Sequence, residues 1–267
     1  MIENIGILLP VVSIGGLALV FGALLGFSTK KFAVKVDPNV EKIQNVLPGT
    51  NCGGCGFAGC AGFAQAVANH KAAYNGCPPG GAGTAAKVAE TLGVDATASA
   101  RKVAFIKCNG KEESVKRNYI YDGPKSCVAA SQLATGGNKT CSYSCIGLES
   151  CKNACLFNAI IMIESIAVVD EKRCTACGKC IAACPKGLIE MVPHNSKVRV
   201  LCNSRDTGRL VRRNCRAGCI GCALCKKNCP VDAIIVEDNI ARIDYTKCTS
   251  CFLCVEKCPT KSIKVIK

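Results

Sequence analysis

Three stretches of this chain share one cysteine spacing, C-x2-C-x2-C-x3-C, and each closes on Cys-Pro. They are Cys174, Cys177, Cys180 and Cys184; Cys219, Cys222, Cys225 and Cys229; and Cys248, Cys251, Cys254 and Cys258. Thiols this close along a chain rarely cross-link to one another, because a disulfide needs Cα atoms several ångströms apart with converging Cβ vectors. They wrap one shared multivalent object, a metal centre. The chain has 24 cysteines in 267 residues, no tryptophan and 5% aromatics. So few large side chains build a thin core, and metal–thiolate bonds have to supply the missing cohesion. Cysteine this dense otherwise marks short disulfide-stapled secreted chains; thiolate sites instead survive where cytosolic reductants act.

The spacing is that of bacterial two-cluster ferredoxins, in which three cysteines of a run ligate one 4Fe–4S cluster and the fourth ligates its neighbour. An internal repeat strengthens the reading. A shift of 74 positions superimposes LFNAIIMIESIAVVDEKRCTACGKCIAAC on PVDAIIVEDNIARIDYTKCTSCFLCVEKC. AIIMI with IAVVD, and AIIVE with IARID, read as paired short strands between the cysteine runs. The expected fold class is therefore α+β, with two tandem two-cluster modules over 103–197 and 198–267.

In the second module, Cys219, Cys222 and Cys225 with Cys258 are expected to hold one cluster, and Cys248, Cys251 and Cys254 with Cys229 the other. The first module departs from the pattern. Its opening run is Cys141, Cys145, Cys151 and Cys155, with Leu148 where the repeat predicts cysteine and Leu156 in place of proline. The expectation is Cys141, Cys145 and Cys151 with Cys184, and Cys174, Cys177 and Cys180 with Cys155. Four cysteines remain: Cys108, Cys127, Cys202 and Cys215. They would complete a sixth cluster; two pairs of buried thiols or a structural zinc are the alternatives.

Upstream, GTNCGGCGFAGC sets out Cys52, Cys55 and Cys60, and Cys77 follows before Pro78 and Pro79. Four thiolates are what one cubane needs, whereas zinc sites usually pair two CxxC knuckles. AGFAQAVANHKAA reads as a helix carrying the third ligand at its start. This 4Fe–4S domain is placed at 33–93, with a linker at 94–102. The two histidines, His70 and His194, lie too far apart in sequence for imidazole ligation of one cluster.

From Asn4 to Thr29 no residue is charged, which is long enough to span a bilayer. No basic residue precedes the stretch, and Lys30, Lys31 and Lys35 follow it. It is expected to be an uncleaved single-pass anchor over 1–29 with the rest of the chain cytoplasmic. Gly22 and Gly26 give it a small-xxx-small face. The formal charge is +15 with thiols counted neutral; six oxidised clusters at about −2 apiece cancel most of it, so a nucleic-acid partner is not implied.

The order of apolar span, GTNCGGCGFAGC domain, IKCNG segment and ferredoxin repeats resembles the B subunit of the Rnf complex, the ion-pumping ferredoxin:NAD oxidoreductase of bacterial membranes. The second module resembles its longer form. The resemblance covers essentially the whole chain. It implies an electron-transfer subunit that takes electrons from reduced ferredoxin and relays them through 4Fe–4S clusters to membrane partner subunits. A polyferredoxin-type subunit of another membrane redox complex is the alternative. No GxGxxG follows a strand, no GxxxxGK[ST] occurs, and the span carries no acidic residue. Nicotinamide, flavin and ion binding are therefore expected on partners, with no autonomous substrate site here. The lysine- and arginine-rich segments 111–125 and 205–213 are candidates for docking an acidic ferredoxin.

Overall fold

A computed structural model describes residues 3–32, 37–96 and 100–266. Lys35 and the middle of the expected linker, residues 97–99, lie outside the described residues. The apolar N-terminal stretch forms one helix, α1 (Glu3–Lys31). Its segment Ile14–Lys31 is long and apolar enough to cross a membrane and is not buried by the rest of the protein. A Cβ added at Gly22 or Gly26 would meet nothing within 4 Å beyond the helix's own backbone.

Three helices build the next unit: α2 (Pro38–Val46), α3 (Gly59–Ala68) and α4 (Gly81–Leu92). Asp37 starts α2 by accepting the Asn39 N–H at 2.8 Å, with Pro38 pre-set for the first turn. The apolar residues Ile43, Phe63, Val67 and Val88 meet in a small core. They clamp α2 and α4 onto α3, whose second residue is Cys60.

The remainder is mixed helix and strand, and its two halves follow one plan. The first contains β1 (Lys102–Ile106), α5 (Cys127–Ser131), α6 (Ser150–Asn153), β2 (Ile160–Ile163), β3 (Ile166–Val169), α7 (Lys179–Ala182) and β4 (Ile189–Pro193). The second contains β5 (Val198–Val200), α8 (Gly208–Asn214), α9 (Leu224–Lys227), β6 (Ile234–Glu237), β7 (Ile240–Ile243), α10 (Leu253–Glu256) and β8 (Ile263–Val265). Each half holds an inner hairpin, β2–β3 or β6–β7. Its two-residue turn, Glu164–Ser165 or Asp238–Asn239, has positive φ at both positions, as the right-handed twist of the flanking strands requires. Each half is also closed by an outer antiparallel ribbon joining its first strand to its last. Lys102 faces Pro193 and Ile106 faces Ile189; Val198 faces Val265 and Val200 faces Ile263.

The four one-turn helices α6, α7, α9 and α10 are each preceded by a residue in the left-handed region: Glu149, Gly178, Ala223 and Phe252. That kink starts a tight coil and turns the third cysteine of each run inward. Cys151, Cys180, Cys225 and Cys254 are all buried. Between the halves, Val103, Phe105 and Val192 pack with Leu201, Tyr245 and Ile266.

Candidate iron–sulfur centres

Four pockets are each lined by four cysteines. Cys155, Cys174, Cys177 and Cys180 line one. Cys219, Cys222, Cys225 and Cys258 line a second, and Cys229, Cys248, Cys251 and Cys254 a third. In these three the fourth cysteine comes from the neighbouring run. The hairpin fold forces this exchange, because it carries each Cys-Pro end away from its own loop and toward the next.

The fourth pocket is different. Cys108, Cys141, Cys202 and Cys215 line it. Cys141 therefore does not join Cys145, Cys151 and Cys184, as its place in the opening run suggested. Thr140 donates to the Asn214 carbonyl at 2.9 Å and holds the segment against the second half of the molecule. The place left by Leu148 falls instead to Cys127. Its backbone N–H donates to Ser150 Oγ at 2.8 Å, which sets the start of α5 beside Cys151. Burial pushes the Cys151 thiol up to about 12, and the like charges of Cys145, Cys127 and Cys184 add to it. Cys127, Cys145, Cys151 and Cys184 thus form a fifth group, and Cys127 does not gather with Cys108, Cys202 and Cys215.

In the N-terminal unit Cys52, Cys55, Cys60 and Cys77 face one another. Burial raises the Cys77 thiol, the Gly80 N–H opposes it, and Cys55, Cys60 and Cys52 raise it further. Asn51 fixes the loop: its Oδ1 accepts the Cys60 N–H at 2.8 Å. A Cβ on Gly59 would sit 2.8 Å from that same oxygen, and the φ of +90° there is one that residues with a Cβ rarely adopt, so the turn favours glycine.

The donor sets suit cubanes. A tetrahedral zinc at 2.3 Å from each sulfur would bring the sulfurs to about 3.8 Å of one another. Among the described residues no three Cys, His, Asp or Glu side chains converge enough to hold a single ion. Backbone N–H groups point at sulfur throughout: Ala104 at Cys174 (3.3 Å), Ala159 at Cys155 (3.4 Å) and Ala233 at Cys229 (3.3 Å). Such bonds favour the thiolate and tune a cluster's potential. At Cys258 burial raises the thiol, but hydrogen bonds from Ser262, Ile263 and Thr260 outweigh it and leave the thiol below its usual range. Of the 24 cysteines, only Cys222 and Cys251 are exposed, and both belong to the second half.

Comparison with known proteins points to the same chemistry. An Fe-S cluster family model matches residues 47–79, and 4Fe-4S dicluster domain models match 173–233 and 210–259. The 173–233 match runs across the two halves, because it follows two consecutive cysteine runs, whereas the three pockets built by those runs group cysteines within one half. The chain is 43% identical over 242 residues to the B subunit of the Na(+)-translocating ferredoxin:NAD(+) oxidoreductase complex of Acetobacterium woodii. That match covers 90% of this chain and 72% of the relative. It is 41% identical over 235 residues to the B subunit of the ion-translocating oxidoreductase complex of Methanosarcina acetivorans, covering 88% and 89%. This chain belongs to the Rnf B subunit family. It is 43% identical over 230 residues to the B subunit of a proton-translocating ferredoxin:NAD(+) oxidoreductase complex from Clostridium ljungdahlii, covering 85% and 81%. As an Rnf B subunit, it is an iron–sulfur electron-transfer component of an oxidoreductase complex. Among its described residues one helix is long and apolar enough to span a membrane.

Two features of this Rnf protein escaped the sequence reading. Cys141 stands at the same 74-residue offset from Cys215 as Cys145 does from Cys219. The stretches LysCysAsn at 107–109 and LeuCysAsn at 201–203 also match. Together these signals would have paired Cys108 and Cys141 with Cys202 and Cys215, and left Cys127 for the gap at Leu148.

Proposed function

We propose that this chain takes electrons from a reduced, acidic ferredoxin at its C-terminal half and relays them through 4Fe–4S clusters toward the membrane. There, partner subunits of an ion-translocating ferredoxin:NAD oxidoreductase receive them. One observation carries the reading. The cysteines gather in fours, from the second half with its two exposed cysteines to the unit that follows α1 along the chain. The clusters supply one-electron reduction and reoxidation with no bond broken. The chain supplies spacing, exclusion of water and N–H donors to sulfur.

At least five clusters fit: Cys52, Cys55, Cys60 and Cys77 in a 33–93 domain, and two in each ferredoxin-like module, 103–197 and 198–267. Residues 1–29 anchor the chain in the cytoplasmic membrane in a single pass. Lys30, Lys31 and Lys35 beyond the span favour a cytoplasmic cluster region.

Docking is supported by Lys226 and Lys227, which lie in the last turn of α9 near the exposed Cys222. Arg212 and Arg213 at the end of α8 are likewise basic and exposed. In the other basic segment, Lys111 is taken up by Glu164 at 2.8 Å and Arg117 by Glu112, which leaves α8 and α9 as the stronger dock.

The test is iron and acid-labile sulfide per anaerobically purified chain, with paramagnetic resonance after reduction. Twenty or more irons and reducible centres are expected, at about four irons per cluster. Colourless protein with bound zinc would overturn the reading. Electron transfer from reduced ferredoxin should also slow as ionic strength rises; a flat rate removes the basic dock.

A further inference from the structure

We propose that Ser262 is a positioning residue whose hydroxyl, acting through the Cys258 sulfur, makes the group of Cys219, Cys222, Cys225 and Cys258 the place where an electron in the second half comes to rest. The proposal rests on the reading above that these groups hold 4Fe–4S clusters. It goes beyond that reading by naming a side chain that sets how an electron divides between two of them.

The repeat supplies an internal comparison. Cys155, Cys184, Cys229 and Cys258 each end a cysteine run. Four residues beyond them stand Ala159, Leu188, Ala233 and Ser262; two residues beyond them stand Phe157, Lys186, Val231 and Thr260. Of the four, Cys258 alone has a hydroxyl residue at either place. The backbone bond is shared: Ala159 N–H donates to Cys155 at 3.4 Å, Ala233 N–H to Cys229 at 3.3 Å, and Ser262 N–H to Cys258. The hydroxyls are what the fourth run adds. Ser262 Oγ lies 3.4 Å from the Cys258 sulfur, and Thr260 Oγ1 lies 3.8 Å from it. A thiolate held by iron has no proton to give, so the hydroxyls donate.

Ser262 is the stronger donor of the two. It is 1% exposed, and a hydroxyl so buried needs a partner, which the sulfur provides. Its carbonyl accepts the Leu201 N–H at 2.7 Å, beside the β5–β8 ribbon, and this holds the serine backbone in place. Reduction adds one electron, with no proton taken up and no bond broken, and leaves more negative charge on the ligand sulfurs. A donor to sulfur therefore favours the reduced state, most of all where water is absent.

The other group of the same half, Cys229, Cys248, Cys251 and Cys254, has Ala233 in the equivalent place and gains no such bond. The favoured group is also the one whose Cys219 N–H donates to Cys202, a residue of the pocket shared by the two halves. An electron entering the second half is thereby drawn toward that shared pocket.

The experiment uses the full chain, anaerobically purified, as wild type, Ser262→Ala, Ala233→Ser and the double variant. Iron is counted, and each reduction step is followed by paramagnetic resonance in a redox titration. Alanine fills the equivalent place at 159 and 233, so Ser262→Ala should keep its iron. One step should become about tenfold less favourable, which is about 59 mV for one electron, with the other steps unmoved. Ala233→Ser should make a different step more favourable, and the double variant should show both shifts. Ser262→Ala with full iron and every step unmoved overturns the tuning but leaves the electron-carrier reading intact. So does a step that becomes more favourable in that variant. Near-zero iron in wild type overturns both. If Ser262→Ala loses iron, Ala233→Ser decides: a step made more favourable upholds the proposal, and no movement overturns it.

Discussion

The guanidinium of Arg199 lies 2.8 Å from the carboxylate of Glu171, and the arginine side chain is only 1% exposed. Arg199 belongs to β5 in the second half, and Glu171 follows β3 in the first. The arginine also sits over the Phe105 ring, 5.0 Å from its centroid, and donates to the Ser196 carbonyl at 3.2 Å. One buried cation thereby fixes how the two halves meet.

Removing the anion strands that cation. Glu171→Ala should destabilise the junction by roughly 2–3 kcal/mol, below the usual cost of a broken buried pair because Glu171 is partly solvated. The urea midpoint for loss of cluster absorbance should fall, and Arg199→Met on top of Glu171→Ala should restore much of it. An unchanged midpoint in the single variant would show that the pair contributes nothing.

Gly54 marks the contact between the N-terminal unit and the first half. A Cβ there would sit 2.8 Å from the Cys177 carbonyl oxygen and 3.0 Å from its Cα, both backbone atoms that cannot swing away. Gly54→Ala should cost roughly 1–3 kcal/mol by overpacking and slow reduction of the Cys52–Cys77 centre in stopped-flow traces. Gly62→Ala, in α3 with its nearest atom at 3.9 Å, should leave that rate unchanged.

Lys139 is a buried cation next to two sites. It is 3% exposed and donates to the carbonyls of Gly110 and Ser165 at 2.9 and 3.0 Å. Burial lowers its pKa, while the neighbouring Cys108 and Cys145 draw it back up. A positive charge favours the more negative, reduced state of a nearby centre. Lys139→Met should therefore shift one or two potentials to more negative values, on the order of 100 mV for a nearby unit charge. Redox titration followed by paramagnetic resonance reads this; unaltered potentials would mean the lysine is purely structural.

Stripped of iron, the chain should lose stability in alkali. Burial pushes the thiols of Cys141 and Cys151 up to about 12, and those of Cys145, Cys180, Cys202, Cys225 and Cys254 up to about 11, from an ordinary 9.0. Between these limits the unfolded chain binds fewer protons than the folded one, so stability falls as pH rises. The window is therefore about pH 9 to 12. Urea midpoints of iron-free protein should drop through it, and the loaded protein, whose thiolates are already held by iron, should respond less.

The ferredoxin-like plan was legible because the cysteine spacing and the 74-residue offset are local patterns, and the hairpins β2–β3 and β6–β7 close within one turn of the repeat. The ribbons β1–β4 and β5–β8 were not foreseen, because they pair strands separated by a whole module. Cys141 was misplaced for the same reason. Chain order set it with Cys145, and a tertiary hydrogen bond from Thr140 sets it with Cys215. Cys127 carries no spacing signal of its own; elimination could have left it for the gap at Leu148, and the folding of α5 against Ser150 shows it there.

Closing each half by its own first and last strands has a consequence for biosynthesis. β5 cannot find β8 until Ile263–Val265 has left the ribosome, so the second half stays open through almost all of its translation. Pairings this remote form slowly. The cysteines of the 219–229 and 248–258 runs are therefore all synthesised before the ribbon that closes their half can form.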